Sequence, residues 1–220
     1  GGVTLLGNQL GDAATAFLNK DRIVTVKGLS EKEVKATHVI WPLSFTEMGN
    51  ELAAAYDALE EKQNLVLKFL KDNGIDESEI TLASAKDQDT LANSYDGRTR
   101  PYRYILTQVV TVSTDKVDTI RKLSVTQREL LKKGVALSSD YSYMTAYSFT
   151  GLNEIKPEMI ESATKNAKAA AQKFADDSGS KLGKIRRANQ GVFTITDRDE
   201  NTPFIKNVRV VTTVEYFLND

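Results

Sequence analysis

Along this chain apolar residues recur at two periods, and the changes from one to the other mark its elements. Ile23-Val24-Thr25-Val26-Lys27-Gly28 is a β-rich run closed by glycine, and Val39, Trp41, Leu43 and Phe45 then alternate as in a half-buried strand. Pro42 lies inside that second run and has no N–H to offer a neighbour, so this strand is expected at a sheet edge or bulged there. From Gly49 the period becomes helical. Leu52, Tyr56, Leu59, Gln63, Val66, Leu67 and Leu70 fall on one stripe, and Asn73-Gly74 supplies the stop.

Glu79-Ile80-Thr81-Leu82 reads as a third strand, followed by an irregular loop over residues 87–100 that is rich in Asp, Asn and Gly. Alternation returns over residues 102–114 through Ile105, Val109, Val110 and Val112, and Val117, Ile120, Leu123, Leu130 and Leu131 predict a second helix ending at Gly134. Tyr141, Tyr143, Tyr147 and Phe149 are expected on one side of a further strand. Pro157 suits the first turn of a third helix, whose buried stripe is Ile160, Ala163, Ala167, Ala170, Ala171 and Phe174 and which Gly179 ends. Residues 192–196, then Val208, Val210, Thr212, Val214 and Tyr216, close the chain as two strands.

The predicted order is β-β-α-β-β-α-β-α-β-β, an α+β fold with a mixed or antiparallel sheet packed by three main helices. A strand-helix-strand succession occurs twice, over residues 23–82 and 102–149. Residues 21–220 are read as a single domain. Residues 1–20 are read as a leader or the remnant of a signal or membrane anchor, because Val3 to Leu6 are apolar, Gly7 and Gly11 make a G-x-x-x-G spacing, and Ala14-Thr15-Ala16 has the small residues of an export signal's tail.

Composition narrows the chemistry. Lys and Arg number 29 against 30 Asp and Glu, leaving a net charge of -1, so no global field draws the chain to nucleic acid, and none is expected as a partner. There is no cysteine, which removes disulfides, thiolate metal sites and cysteine nucleophiles, and one histidine, His38, cannot build a multi-histidine centre alone. No G-x-S-x-G elbow, G-x-G-x-x-G turn or G-x-x-x-x-G-K-[ST] loop occurs. Asp197-Arg198-Asp199-Glu200-Asn201 starts like a calcium loop, yet Thr202 stands where such a loop needs glycine and Val208 where it needs a bidentate Glu. No enzyme activity, metal or cofactor is therefore expected.

Two constellations are left for binding. Arg98, Arg100 and Arg103 alternate with Tyr102 and Tyr104, a mixture of guanidinium and ring that can hold anionic groups, against the plainer reading of solvated arginines at a strand mouth. Tyr141, Tyr143 and Tyr147 carry an apolar body with a wet tip, which suits either a core or an interface with another protein. Lys184, Arg186 and Arg187 form a second basic cluster, read as surface charge.

Thr25-Val26-Lys27-Gly28, the helix end Leu70-Lys71-Asp72-Asn73-Gly74-Ile75 before Glu79-Ile80-Thr81, and the alanine helix leading to Gly179-Ser180-Lys181-Leu182-Gly183-Lys184-Ile185 together resemble the SIMPL-domain (YggE-like) family. The likeness runs from Arg22 to Leu218 and departs after Gly28, where Leu29-Ser30 replaces the family's frequent second glycine. It implies a periplasmic or otherwise extracytoplasmic cell-envelope protein, exported behind an N-terminal signal or held at the inner membrane by an anchor. It further implies oligomers of the chain, an envelope partner, and a link to envelope or oxidative stress. It carries no catalytic residues. The first functional expectation is thus a non-catalytic, self-associating envelope protein; the alternative is a module for an anionic ligand or polysaccharide at Arg98, Arg100, Tyr102, Arg103 and Tyr104.

Overall fold

A computed structural model describes residues 22–92 and 97–220. In chain order the elements are β1 (Ile23–Lys35), β2 (His38–Gly49), α1 (Leu52–Asp72), β3 (Ile80–Leu82), β4 (Lys86–Asp89), β5 (Tyr104–Thr114), α2 (Val117–Thr126), α3 (Arg128–Lys132), β6 (Ala146–Ser148), α4 (Leu152–Asp177), β7 (Lys181–Gln190), β8 (Thr194–Asp197) and β9 (Ile205–Asn219). The α+β class and the predicted order hold, with β4 and β7 added and the strands divided between two antiparallel sheets. The proposed leader, residues 1–20, lies outside the described residues. The chain separates into two compact units, one built from residues 22–35 and 151–220, the other from residues 36–150.

In the first unit β9 is the spine. β1 pairs along its length on one side, from Ile23↔Phe217 to Lys35↔Ile205, while β7 and β8 share the other side. Alternation in β9 buries Val208, Val210, Val214 and Tyr216 under α4. The buried stripe of α4 is Met159, Ala163, Ala167, Ala171 and Ala175, so the small residues fall at a spacing of four while Phe174, expected inside, is 52% exposed. Close approach is the physical reason. A Cβ on Gly28 would sit 1.9 Å from the Ala163 carbonyl oxygen and 2.5 Å from the Ala167 nitrogen, which leaves no room on that stripe for a ring. The helix begins before Pro157, which lies inside it instead of in its first turn.

The second unit has the strand order β3-β5-β2-β6, with β4 beside β5. Its path β2-α1-β3 then β5-α2-α3-β6 is the split β-α-β pair doubled into one sheet. The duplication expected over residues 23–82 is therefore β2-α1-β3, with β1 given to the other unit. Val39, Trp41, Leu43 and Phe45 meet Leu59, Val66, Phe69 and Leu70 of α1 and Ile120 and Leu123 of α2 in one core. Gly74, with φ of +87°, ends α1 as expected.

The tyrosine row is corrected by the structure. Tyr141–Tyr143 is a 3-10 turn, since the Asp140 side chain accepts the Ser142 N–H and the Asp140 carbonyl accepts the Tyr143 N–H at 3.0 Å. Only residues 146–148 pair as a strand, so Tyr141 and Tyr147 share no sheet face. Among the described residues no helix is long and apolar enough to cross a membrane.

Candidate functional site

Each sheet turns one face to its helices and the other outward. In the second unit, Ile40, Pro42, Ser44, Thr46 and Met48 of β2 stand directly opposite Ser113, Thr111, Val109, Thr107 and Ile105 of β5 on the outward side. None of these side chains is charged. Ile40 and Met48 are 44% and 46% exposed. Ser44 is buried, and its carbonyl accepts the Ser138 N–H where the chain crosses beside β2. The result is a two-strand field of hydroxyl and aliphatic groups, open at Ile40 and Met48 and covered at Ser44.

At one corner of this field the pairing of β2 with β5 brings together three residues that the sequence keeps far apart. His38 Nδ1 lies 2.7 Å from Asp115 Oδ1, and His38 Nε2 lies 2.9 Å from Ser113 Oγ. That is the connectivity of a hydrolytic triad. The setting differs, because the Asp115 carboxylate is 86% exposed where a triad carboxylate is buried, and water screens its hold on the ring. The arrangement ties the start of β2 to the end of β5. Sequence reasoning paired His38 with nothing, because the contact depends on the β2–β5 register, which sets Ile40 opposite Ser113.

The opposite end of the sheet carries the Arg and Tyr segment. Arg103 donates from Nε and Nη2 to the two oxygens of Asp89 at 3.3 and 3.1 Å, and its guanidinium lies 4.9 Å from the centre of the Tyr104 ring. The Arg103 side-chain bond holds the Asp89 carboxyl below its usual range, and Asp89 raises Arg103 in turn. The buried Thr90 hydroxyl donates to the Tyr102 and Arg103 carbonyls. Arg98, Arg100 and Tyr102 are exposed. Of the five predicted residues, then, Arg103 is committed to Asp89 and Tyr104 to the start of β5.

The tyrosines are dispersed. Tyr141 is exposed on the 3-10 turn, Tyr143 is half-buried beside it, and Tyr147 leans on the core of the second unit. Burial pushes the Tyr147 hydroxyl up, offset in part by the Arg121 charge and by a hydrogen bond with Ser124. The calcium-like turn spends its oxygens internally: Asp199 accepts from Asn201 N–H and Thr202 Oγ1, and Asp197 pairs with the buried Lys206. Arg186 of the second basic cluster pairs with Glu215 at 3.0 Å.

The model of the SIMPL family, described as a protein of unknown function (DUF541), matches residues 24–215, from within β1 to within β9 and across both units. The chain belongs to the SIMPL family. No curated protein matches it. Of the glycines in the motifs that carry the resemblance, Gly28 sits where α4 meets β1, and Gly179 follows the end of α4 with a φ of +68°. SIMPL membership assigns no residue a role, so the function of this SIMPL chain is argued from its own surfaces.

Proposed function

We propose that this SIMPL protein is an exported, non-catalytic component of the cell envelope that works by contact and self-associates through the outward face of its second sheet. The observation that carries this reading is the uncharged field of β2 and β5. With 12 and 11 residues in these strands at about 3.4 Å each, and two strands about 4.8 Å apart, the field covers roughly 400 Å². That is below the roughly 600–1,000 Å² that one partner of a stable protein interface buries, so association through it is expected to be weak and concentration-dependent. A second copy offers the same field, and the β2 and β5 rows pack with little charge to desolvate, Lys86 and Asp115 lying at the rim. Light scattering over a range of concentrations tests it: growth in mass with concentration supports the reading, and a strict monomer throughout overturns it. Fractionation of cells making the natural protein tests export, with recovery in the cytosol as the contrary result. A role in envelope or oxidative stress belongs to the same proposal and rests on the family likeness.

The alternative, capture of an anionic polysaccharide, is supported by the exposure of Arg98, Arg100 and Tyr102, and Arg103 is no longer part of it. Heparin retention that falls with salt and disappears in an Arg98→Ala, Arg100→Ala double variant would favour it over self-association.

A further inference from the structure

The chain has three methionines, and the fold sorts them by access and by place. Met159 is 2% exposed, on the buried stripe of α4. Met144 is 59% exposed and follows the 3-10 turn, outside both rows of the outward field. Met48 is 46% exposed and is the last aliphatic of the β2 row, directly opposite Ile105. Solvent therefore reaches two of the three thioethers, and one of those two lies in the field itself.

The surroundings of Met48 make a change in its polarity matter. Its outward neighbour along β2 is Thr46, opposite Thr107, and beyond Ile105 stands Gln88 of β4. The adjacent carboxylate, Glu47, belongs to the other side of the strand and pairs with Lys62 at 2.8 Å. Lys86, opposite Thr107, is two strands away, and the Arg103 guanidinium is taken by Asp89. A thioether in such a place behaves as an apolar group, whereas one oxygen atom on its sulfur makes it a polar acceptor.

We propose that Met48 is a modification site: an oxidant of the peroxide class converts its thioether to a sulfoxide, and the sulfoxide weakens the association of copies through the field of β2 and β5. The inference rests on the reading of that field as the surface where copies meet. In the step a sulfur lone pair attacks one oxygen of hydrogen peroxide. The S–O bond forms as the O–O bond breaks, sulfur gives up two electrons, and the second oxygen leaves with both protons as water. The sulfoxide oxygen must then shed its hydration when a second copy covers the field, which the thioether does not require. A methionine sulfoxide reductase drawing on a dithiol reverses the step, with the oxygen leaving as water and the dithiol becoming a disulfide. The burial of Met159 spares it while the protein is folded, and Met144 is oxidised without effect on association.

Sedimentation equilibrium of the whole chain before and after hydrogen peroxide tests this on the wild type, Met48→Leu and Met144→Leu. Peptide mass mapping locates the added oxygen, and circular dichroism checks that each treated protein stays folded. Untreated, all three should associate alike, since leucine keeps the volume and polarity of methionine. Full oxidation of Met48 should weaken association at least tenfold in the wild type and in Met144→Leu, and treatment with methionine sulfoxide reductases and dithiothreitol should restore it. Met48→Leu should associate equally before and after peroxide. Unchanged association with Met48 fully oxidised, or equal weakening in Met48→Leu, overturns this proposal and leaves the reading of the field standing. A wild type that is monomeric before treatment overturns that reading and this proposal with it.

Discussion

The outward faces of the two sheets are built on the same register logic and filled with opposite chemistry. In the first unit β1 and β9 set Thr25 opposite Glu215, Lys27 opposite Thr213, Glu31 opposite Arg209 and Glu33 opposite Asn207, with the apolar pairs Leu29 and Val211 between them and Ile23 and Phe217 at the end. Arg209 Nε lies 3.6 Å from Glu31, and Arg186 closes on Glu215 at 3.0 Å. In the second unit the corresponding rows of β2 and β5 carry hydroxyls and aliphatics from Ile40 to Met48, with His38 at the end of the β2 row. Charges on a sheet face must keep their water, so the first face resists burial against another protein and the second does not. The lesson is that contact specificity here comes from where charge is withheld.

The helix layers differ as sharply, and that contrast yields the largest expected effect. α4 meets β1 through alanines at Gly28, whereas α1 fills its core with Leu59, Val66, Phe69 and Leu70. Gly28→Ala should cost more than about 3 kcal/mol, because the clash is with helix backbone that cannot rotate away. Urea unfolding measures the loss, and hydrogen exchange should place the weakened amides in β1 and α4.

Next in size is the ion network around the half-buried Glu79 of the second unit. Burial raises the Glu79 carboxyl, but the hydrogen bond from Lys116, with those from Thr114 and the Asp76 N–H, outweighs it and brings the carboxyl down to about 2 from an ordinary 4.5. A group lowered on folding stabilises the protein fully above its unfolded pKa. The contribution should therefore be intact above about pH 4.5 and disappear as pH falls toward 2. Glu79→Gln should cost about 2 kcal/mol at pH 7 and flatten that acid limb, both read from denaturation midpoints across pH.

Smaller effects are expected where water screens the groups. Arg103→Ala removes a pair whose members are 46% and 30% exposed and should barely move the midpoint of chemical denaturation. Ser113→Ala should leave the hydrolysis of p-nitrophenyl acetate unchanged, because the exposed Asp115 does not hold the ring as the buried carboxylate of a triad does. A rate lost with Ser113 and a covalent acyl-serine in the mass spectrum would make the second unit's corner catalytic.

How much of this was legible in the sequence depends on whether a pattern was local. β2, β5 and β9 each bury one side, so their alternation was plain, and Gly74, Gly134 and Gly179 marked helix ends that all have positive φ. β4, Lys-Asp-Gln-Asp, has no apolar residue to show a period, and β7 is mostly exposed with register shifts about Ile185 that scramble alternation. Tyr141 and Tyr143 mimicked a strand because two rings at a spacing of two fit a short turn as well. Of the candidate sites, the outward field was hidden for a different reason: it is the polar half of alternations whose apolar half was being read. The His38, Ser113 and Asp115 contact arises from pairing between distant strands, which no local spacing encodes.

The outward field of β2 and β5 is tested most directly by sedimentation equilibrium of the whole chain beside two single variants. Val109→Lys puts a charge at the centre of the uncharged field, and Val211→Lys puts the same charge on the first unit's outward face. The wild type and Val211→Lys should associate alike while Val109→Lys sediments as a monomer at least tenfold above the wild-type dissociation constant. Association of Val109→Lys equal to the wild type, or equal loss in both variants, would contradict the assignment of that field as the surface where copies meet.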